Sequence, residues 1–370
     1  MRHLSEYRDA SLLRGLVARL QGATHRPYRI MEVCGGQTNT IVRYGLDQCL
    51  APHVTLLHGP GCPVCVTPAS YLDAARQLAM RPEVVLCSFG DMLRVPGSEG
   101  TLLDCKSAGA DVRTLYSPLD ALKLARSLPD KQVVFFSIGF ETTAPLTALA
   151  VLQAAEASQP NFSVLCAHVT IPPAIFVILQ SAEVQIDALL APGHVCTVTG
   201  TQEYERLSLE FGVPIVVTGF EPADILQGVW SAIRCLEDAR AGVIMQYSRA
   251  VTPEGNLQAQ RLIQRVLTVT DREWRGLGVI PSSGLNLSPQ FAGYDACRRF
   301  ALRLESGSEP GGYCARVLRG NLAPCDCPKF LKECTAEHPL GAPMVSSEGA
   351  CAAYMQYSRS MHPFGDLGGA

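Results

Sequence analysis

The chain of 370 residues is 47% hydrophobic and 18% charged, the composition of an ordered globular protein with apolar material for two or three domains. A formal net charge of −3 supplies no broad basic field, so a nucleic-acid role has no electrostatic support. The opening MRHLSEYRDASLLRGLVARL is charged throughout and lacks a signal peptide's apolar core, and no uncharged apolar run nears the ~18 residues that span a bilayer; a cytoplasmic protein without membrane segments is expected.

Residues 1–27 read as an N-terminal helix packing on the C-terminal domain. Short β-branched runs then recur at 28–33, 53–57, 83–89, 132–138, 162–169, 194–200 and 214–220, and read as buried strands. Helical patterns at 68–80, 117–128, 142–158 and 222–240 lie between them. This alternation predicts α/β layers with mostly parallel strands, divided near residue 145 into domains 28–145 and 146–250. Helical periodicity continues through 251–305, but from 306 Gly, Pro and Cys dominate. Residues 251–370 are therefore expected to form a third, helical and loop-rich domain held by something other than a large apolar core.

Fifteen cysteines in a reducing compartment point to metal, cluster or redox chemistry for some of them. Cys87, Cys166, Cys196 and Cys235 sit in apolar or amphipathic runs and read as small core hydrophobes. Others lie in glycine-bearing loops just after strands, where α/β sheets bind ligands. Cys34-Gly35-Gly36 follows RIMEV, HGPGCPVC (58–65) follows VTLL, FGDMLRVPGS (89–98) follows VVLCS, and GFETTAP (139–145) follows VVFFSI. The four loops are expected to converge on one cleft.

Cys62 and Cys65 form a C-x2-C pair at the start of a predicted helix, where free N–H groups favour thiolate. Thiolates so spaced bind a soft metal or cycle between dithiol and disulfide; the partner motif of a structural zinc site is absent. Cys34 alone serves either function or a tight turn, and Gln37, Thr38 and Asn39 can hydrogen-bond an anionic ligand or cap a helix. Asp91 and Glu141 read equally as acid/base groups or helix caps. His58 reads as a structural histidine at a strand end, with His168 and His194 ranked below it as ligands. Cys314, Cys327, Cys334 and Cys351 follow C-x12-C-x6-C-x16-C, with Cys325 as a spare. Four thiolates in a core-poor segment bind zinc or a [4Fe–4S] cluster, and spacings this wide favour the cluster.

MEVCGGQTNTIVRYG, HGPGCPVCVTP, CSFGDMLRVPGS, FSIGFETTAP, TGFEPADILQGV and MVSSEGACAAY occur in this order, and together they resemble the HypD family of [NiFe]-hydrogenase maturation factors over nearly the whole chain. The resemblance implies two Rossmann-like α/β domains plus a loop- and helix-rich C-terminal iron–sulfur domain. It implies a scaffold that works with a small HypC-type chaperone, on which Fe(II) acquires cyanide and carbon monoxide as the Fe(CN)2CO group. A HypE-type protein would deliver the cyanide, and the hydrogenase large subunit would receive the product. By motif, Cys34, Cys62 and Cys65 correspond to the iron-scaffold thiols, and Cys314, Cys327, Cys334 and Cys351 to the [4Fe–4S] ligands. Glu348 corresponds to the acidic residue linking cluster and cleft, and with Cys62 and Cys65 would take part in resetting a disulfide to a dithiol. One departure stands out: the family's CGGHTH is CGGQTN here, so Gln37 and Asn39 replace two imidazoles with amides that hydrogen-bond but neither titrate near neutrality nor bind iron well. Three classes stay open: an iron-assembly scaffold, a cluster-dependent thiol–disulfide oxidoreductase, which needs Cys62 and Cys65 but not Cys34, and an interaction protein whose C-terminal cysteines hold zinc. A divergent paralogue with another client is a variant of the first.

Overall fold

The computed structural model describes residues 5–181, 183, 185–304 and 312–357. Expectations for 1–4, 305–311 and 358–370 lie outside the described residues. Strands are β1 (Tyr28–Glu32), β2 (Val54–His58), β3 (Val84–Ser88), β4 (Val112–Thr114), β5 (Gln132–Gly139), β6 (Phe162–Val169), β7 (Ala188–Pro192), β8 (Ile215–Thr218), β9 (Val243–Met245), β10 (Leu267–Trp274) and β11 (Gly278–Leu287).

They build two sheets, one ordered β2-β1-β7-β8-β9 and the other β10-β11-β6-β5-β3-β4. All pairings of the first sheet are parallel, as are β6-β5-β3-β4 of the second, to which the antiparallel hairpin β10–β11 adds an edge. Continuous burial of β3, β6, β7 and β8 explains their near-unbroken apolar sequences: parallel strands are covered on both faces. Apolar side chains from both sheets, including Met31, Leu189 and Val217 of the first and Leu86, Val134 and Phe136 of the second, share one central core. Each sheet also has an outer core under its own helices. The expected α/β architecture with mostly parallel sheets is what the chain adopts.

Four details differ from expectation. The sheets are not divided at residue 145: β1 and β2 share a sheet with β7, β8 and β9 through the β1–β7 pairing, so the second unit is inserted into the first. Local patterns identify strands but carry no information on which distant strand becomes the neighbour. Residues 194–200, rich in β-branched residues, form the helix Gly193–Thr199 because the short β7 immediately before them fills the sheet position. Helical periodicity after 250 ends at Val266, and residues 267–287 leave the expected C-terminal domain to join the second sheet. Finally, the helix Ala10–Ala23 buries Leu13, Val17 and Leu20 with Ile225, Val229 and Ile233 of the helix Pro222–Glu237 rather than on the C-terminal domain. Each of those side chains contributes roughly 1.5–3 kcal/mol by burial.

Candidate functional site

The register of β1 on β2 pairs Glu32 with His58, so the chain leaves both strands at one level and the two following loops run side by side. Gly59 donates its N–H to the Glu32 carbonyl at 2.8 Å, and Gly35 donates to the Gly61 carbonyl at 2.9 Å. A Cβ on Gly61 would lie 2.1 Å from the Cys34 nitrogen, so only glycine lets the second loop press on the first. Cys34 and Cys62 are thereby neighbours across a backbone contact.

Cys34 precedes the helix Gly35–Arg43 in an extended conformation, and its thiol makes no capping bond. The fully buried Glu32 organises what lies beneath. One carboxylate oxygen accepts the Cys34 N–H at 2.7 Å; the other accepts the Thr38 hydroxyl and lies 2.7 Å from His58 Nδ1. His58 Nε2 in turn sits 3.3 Å from the Tyr354 hydroxyl, which donates to Asp47 at 2.9 Å. His58 thus has the hydrogen-bonded structural role expected for it. The Cys34 sulfur lies 3.8 Å from Nδ1 of His194. Burial, with the negative charges of Glu32 and Glu348, pushes the thiol well above its ordinary range, and burial lowers His194 to about 4. A neutral thiol therefore faces a neutral imidazole.

Cys62 and Cys65 are joined by a disulfide. The helix between them, Pro63–Val66, has a single turn, so the local group acting on Cys62 is the Cys65 N–H, 3.2 Å from its sulfur, rather than an extended dipole. The Cys65 sulfur lies 3.8 Å from the carbonyl oxygen of Ala342 in the C-terminal segment.

Cys314, Cys327, Cys334 and Cys351 line one cavity of about 320 Å³, walled by Val317, Phe330, Leu340 and Met344 with Lys329 among the lining residues. Burial raises the Cys351 thiol most, and the charges of the other three cysteines raise it further, as expected of four sulfurs around one space. Cys325 is exposed and outside that lining. Among the described residues no three His, Cys, Asp or Glu side chains converge tightly enough to hold a single metal ion. A mostly apolar cavity with four thiol donors and room for far more than one ion fits a [4Fe–4S] cluster.

The cavity abuts the Cys34 site. The helix Ala350–Tyr357, which carries Cys351, packs Ala353 and Tyr354 on Val42 of the Cys34 helix. A Cβ on Gly35 would lie 2.4 Å from that of Glu348, so glycine again permits the approach. Glu348 is raised above the ordinary carboxylate range, first by burial and then by Asp91. It borders a void of about 10 Å³ shared with Thr38, Cys62 and Cys65, about the size of one water. Asp91 accepts the Ser346 hydroxyl at 3.2 Å and Arg94 donates to the Val345 carbonyl at 3.0 Å, so the loop after β3 braces the Glu348 segment.

Glu141 takes the helix-cap role, but at the start of a helix other than the one that follows it. Its Oε1 accepts the first N–H of the helix Ile171–Gln180 at 3.0 Å, its Oε2 is buried without a hydrogen-bond partner, and burial raises it to about 7. His168 is locked among Ser137, Thr147 and the Gly139 carbonyl. Gln37 is buried and turned back to the first sheet, donating to the Ala191 carbonyl at 3.2 Å and the Thr218 hydroxyl at 2.6 Å, while its Oε1 is unpartnered. Asn39 reaches the Ser347 carbonyl at 3.4 Å. Cys87, Cys166, Cys196 and Cys235 are buried in the cores, as read. Sequence reasoning missed Glu32, whose signal was a carboxylate inside an apolar strand, and undervalued His194, which stood inside a misread strand.

The match to known proteins runs the length of this arrangement: the HypD model, described as hydrogenase formation hypA family, matches residues 11–358. This chain belongs to the HypD family. It is 48% identical over 369 residues to the hydrogenase maturation factor HypD of Azotobacter vinelandii, covering 97% of each chain. To the hydrogenase maturation factor HypD of Escherichia coli (strain K12) it is 47% identical over 366 residues, covering 96% of this chain and 98% of the other. The hydrogenase maturation factor HypD2 of Bradyrhizobium diazoefficiens is 46% identical over 370 residues, with 97% of each covered. The role of this HypD-family chain therefore lies in hydrogenase maturation. No helix among its described residues is long and apolar enough to cross a membrane.

Proposed function

We propose that the chain is the scaffold on which a cargo Fe(II) acquires cyanide and carbon monoxide, held by Cys34 together with Cys62 and Cys65 in their dithiol form. The observation that carries this reading is the meeting of three sulfur groups at one place: Cys34 against Gly61, the Cys62–Cys65 disulfide beside it, and the four-thiol cavity, whose lining residues Met344 and Cys351 follow closely on Ala342 and Glu348 in the chain. Low-spin iron with strong-field diatomic ligands prefers thiolate, and a cysteine of a small HypC-type chaperone can complete its coordination. A HypE-type protein would bring the cyanide groups, and the hydrogenase large subunit would take the finished Fe(CN)2CO group.

Residues of the chain have distinct tasks in this proposal. Iron binding requires Cys34 to lose its proton, and the neutral His194 imidazole, with Nδ1 3.8 Å from the sulfur, holds the thiol in place as it does so. Converting the Cys62–Cys65 disulfide to the dithiol breaks the S–S bond and takes up two electrons from an external reductant and two protons; Glu348, bordering the same void and holding its proton more firmly than an ordinary carboxylate, supplies one proton and solvent the other. Cys314, Cys327, Cys334 and Cys351 would hold a [4Fe–4S] cluster, which supplies one-electron redox chemistry when bound. The test is iron and acid-labile sulfide analysis of anaerobically purified variants. Cys334→Ala is expected to abolish sulfide, and Cys34→Ala to retain sulfide while losing additional iron; zinc without sulfide in the parent protein would overturn the cluster assignment. Disulfide reductase activity that survives Cys34→Ala, with no iron lost, would leave the oxidoreductase reading in place of the scaffold.

A further inference from the structure

The short N-terminal helix Ser5–Arg8 packs at the start of the helix Pro222–Glu237 and on Arg249. Arg8 makes a bidentate pair with Glu221, Nε at 2.5 Å and a terminal nitrogen at 2.9 Å. Tyr7 covers one face of the Arg249 guanidinium at 4.5 Å, and Tyr247 also lies over it at 4.4 Å. The fully buried Asp224 fixes that guanidinium through two bonds of 2.8 and 2.5 Å. Tyr247 meets Phe220 edge-on at 5.9 Å, and Phe220 meets the His194 ring edge-on at 5.1 Å. Both rings press on glycine backbone. A Cβ on Gly193 would lie 2.5 Å from Tyr247, and one on Gly36 would lie 3.2 Å from Phe220. The rings therefore touch the residue before His194 and the second residue after Cys34.

We propose that Tyr7 and Arg8 act as a strap that positions His194 against Cys34, through Arg249 and the Tyr247–Phe220 ring pair. Tyr7 is a positioning residue, since it touches neither sulfur nor imidazole. Three features make the chain of contacts stiff. Arg249 cannot slide because Asp224 grips it from the side. Phe220 cannot withdraw because its carbonyl accepts the Thr40 hydroxyl at 2.6 Å, and Thr40 belongs to the Cys34 helix. Glu221, next to Phe220, is pinned by Arg8. Loss of the Tyr7 face frees one side of the guanidinium and lets the ring pair relax away from Gly193.

The inference rests on reading Cys34 and His194 as a site, but its test reads their geometry before any scaffold iron is supplied. Full-length, anaerobically purified protein is compared with Tyr7→Ala, Tyr7→Phe and Tyr7→Leu by two readouts. The first is the ¹H–¹³C signal of the His194 ring, assigned with His194→Gln; the second is the alkylation rate of Cys34 by iodoacetamide, followed by peptide mass spectrometry. In Tyr7→Ala the His194 signal is expected to move and alkylation to speed up about fivefold, the opening that corresponds to ~1 kcal/mol of lost cation–π attraction. Tyr7→Phe, which keeps the ring face, should restore both. Tyr7→Leu keeps apolar bulk without a π face, so it should behave like Tyr7→Ala, and it substitutes for that variant should the latter fail to fold. Unchanged His194 signal and Cys34 rate in a folded Tyr7→Ala or Tyr7→Leu protein would overturn the strap. Failure of iron to bind the parent protein would instead overturn the scaffold reading and leave the strap standing.

Discussion

A fully buried carboxylate, Glu32, accepts the Cys34 N–H and the Thr38 hydroxyl and meets His58, so three groups on a loop, a helix and a strand depend on one side chain. Glu32→Gln keeps the shape but sets an amide N–H₂ against donors, and by the cost of a broken buried network it should lower stability by about 2–4 kcal/mol, read by chemical denaturation. A loss below about 0.5 kcal/mol would show that the network has little weight. Buried titratable groups also give a signed pH dependence. His168 and His194 are held near 4 against an ordinary 6.5, so each contributes stability that is complete above 6.5 and declines as the pH falls toward 4. Glu141, raised from 4.5 to about 7, works in the opposite direction: its contribution is present below 4.5 and is lost as the pH rises to about 7. At ~1.4 kcal/mol per unit and per group, the three together favour folding as pH rises from 4.5 to 6.5 with a net slope of about one group. Glu141→Gln should steepen that gain toward two groups' worth; an unchanged slope in denaturation at pH 5 and 6.5 would assign Glu141 an ordinary ionisation. The cysteines and their spacings were legible in the sequence, because thiol chemistry is carried by residue type. Glu32 and His194 were not, because their importance comes from what the fold places beside them.

At the level of elements, the site depends on loops whose glycines are set by close approach. Gly35→Ala would drive a methyl group into Glu348, and Gly61→Ala would drive one into the Cys34 backbone. Overpacking of this kind typically costs ~1–3 kcal/mol. Gly35→Ala is expected to separate the Ala350–Tyr357 helix from the Cys34 helix while leaving the four-thiol cavity intact, so acid-labile sulfide should persist and Cys34 alkylation should speed up. Retained parental alkylation would mean that Glu348 moves aside freely. Most strands and their following helices were readable from periodicity, since buried parallel strands are short apolar runs and the helices between them carry one apolar face. The exceptions have local causes. Val195, Thr197, Val198 and Thr199 gave a strand-like signal to a helix whose sheet position β7 already occupied. The β10–β11 hairpin was hidden because the helix before it, Leu257–Val266, passes into strand without a break.

Across the whole molecule, the sheets exchange segments: β7 returns to pair with β1, bringing β8 and β9 into its sheet, only after the chain has built β3 to β6. Pairing at that sequence distance is decided by the assembled cores, which is why a simple division near 145 was the natural reading and the wrong one. The C-terminal segment stands apart energetically. Its small core holds Val317, Cys334, Met344 and Cys351 among the buried residues, far less apolar material than either sheet commands, so the proposed cluster would contribute much of its stability. Oxidative destruction of the cluster should therefore raise hydrogen exchange across 312–357 while the strands stay protected; uniform exchange throughout would contradict that division. The central claim is that Cys34, Cys62 and Cys65 hold iron carrying cyanide and carbon monoxide, with the amides of Gln37 and Asn39 rather than imidazoles on the Cys34 helix. The most direct measurement is an infrared spectrum, in the cyanide and carbon monoxide stretching region, of anaerobically purified protein co-produced with a HypC-type chaperone. Bands from both ligands, lost in Cys34→Ala, are the predicted result; a blank spectrum from protein with an intact cluster would contradict it.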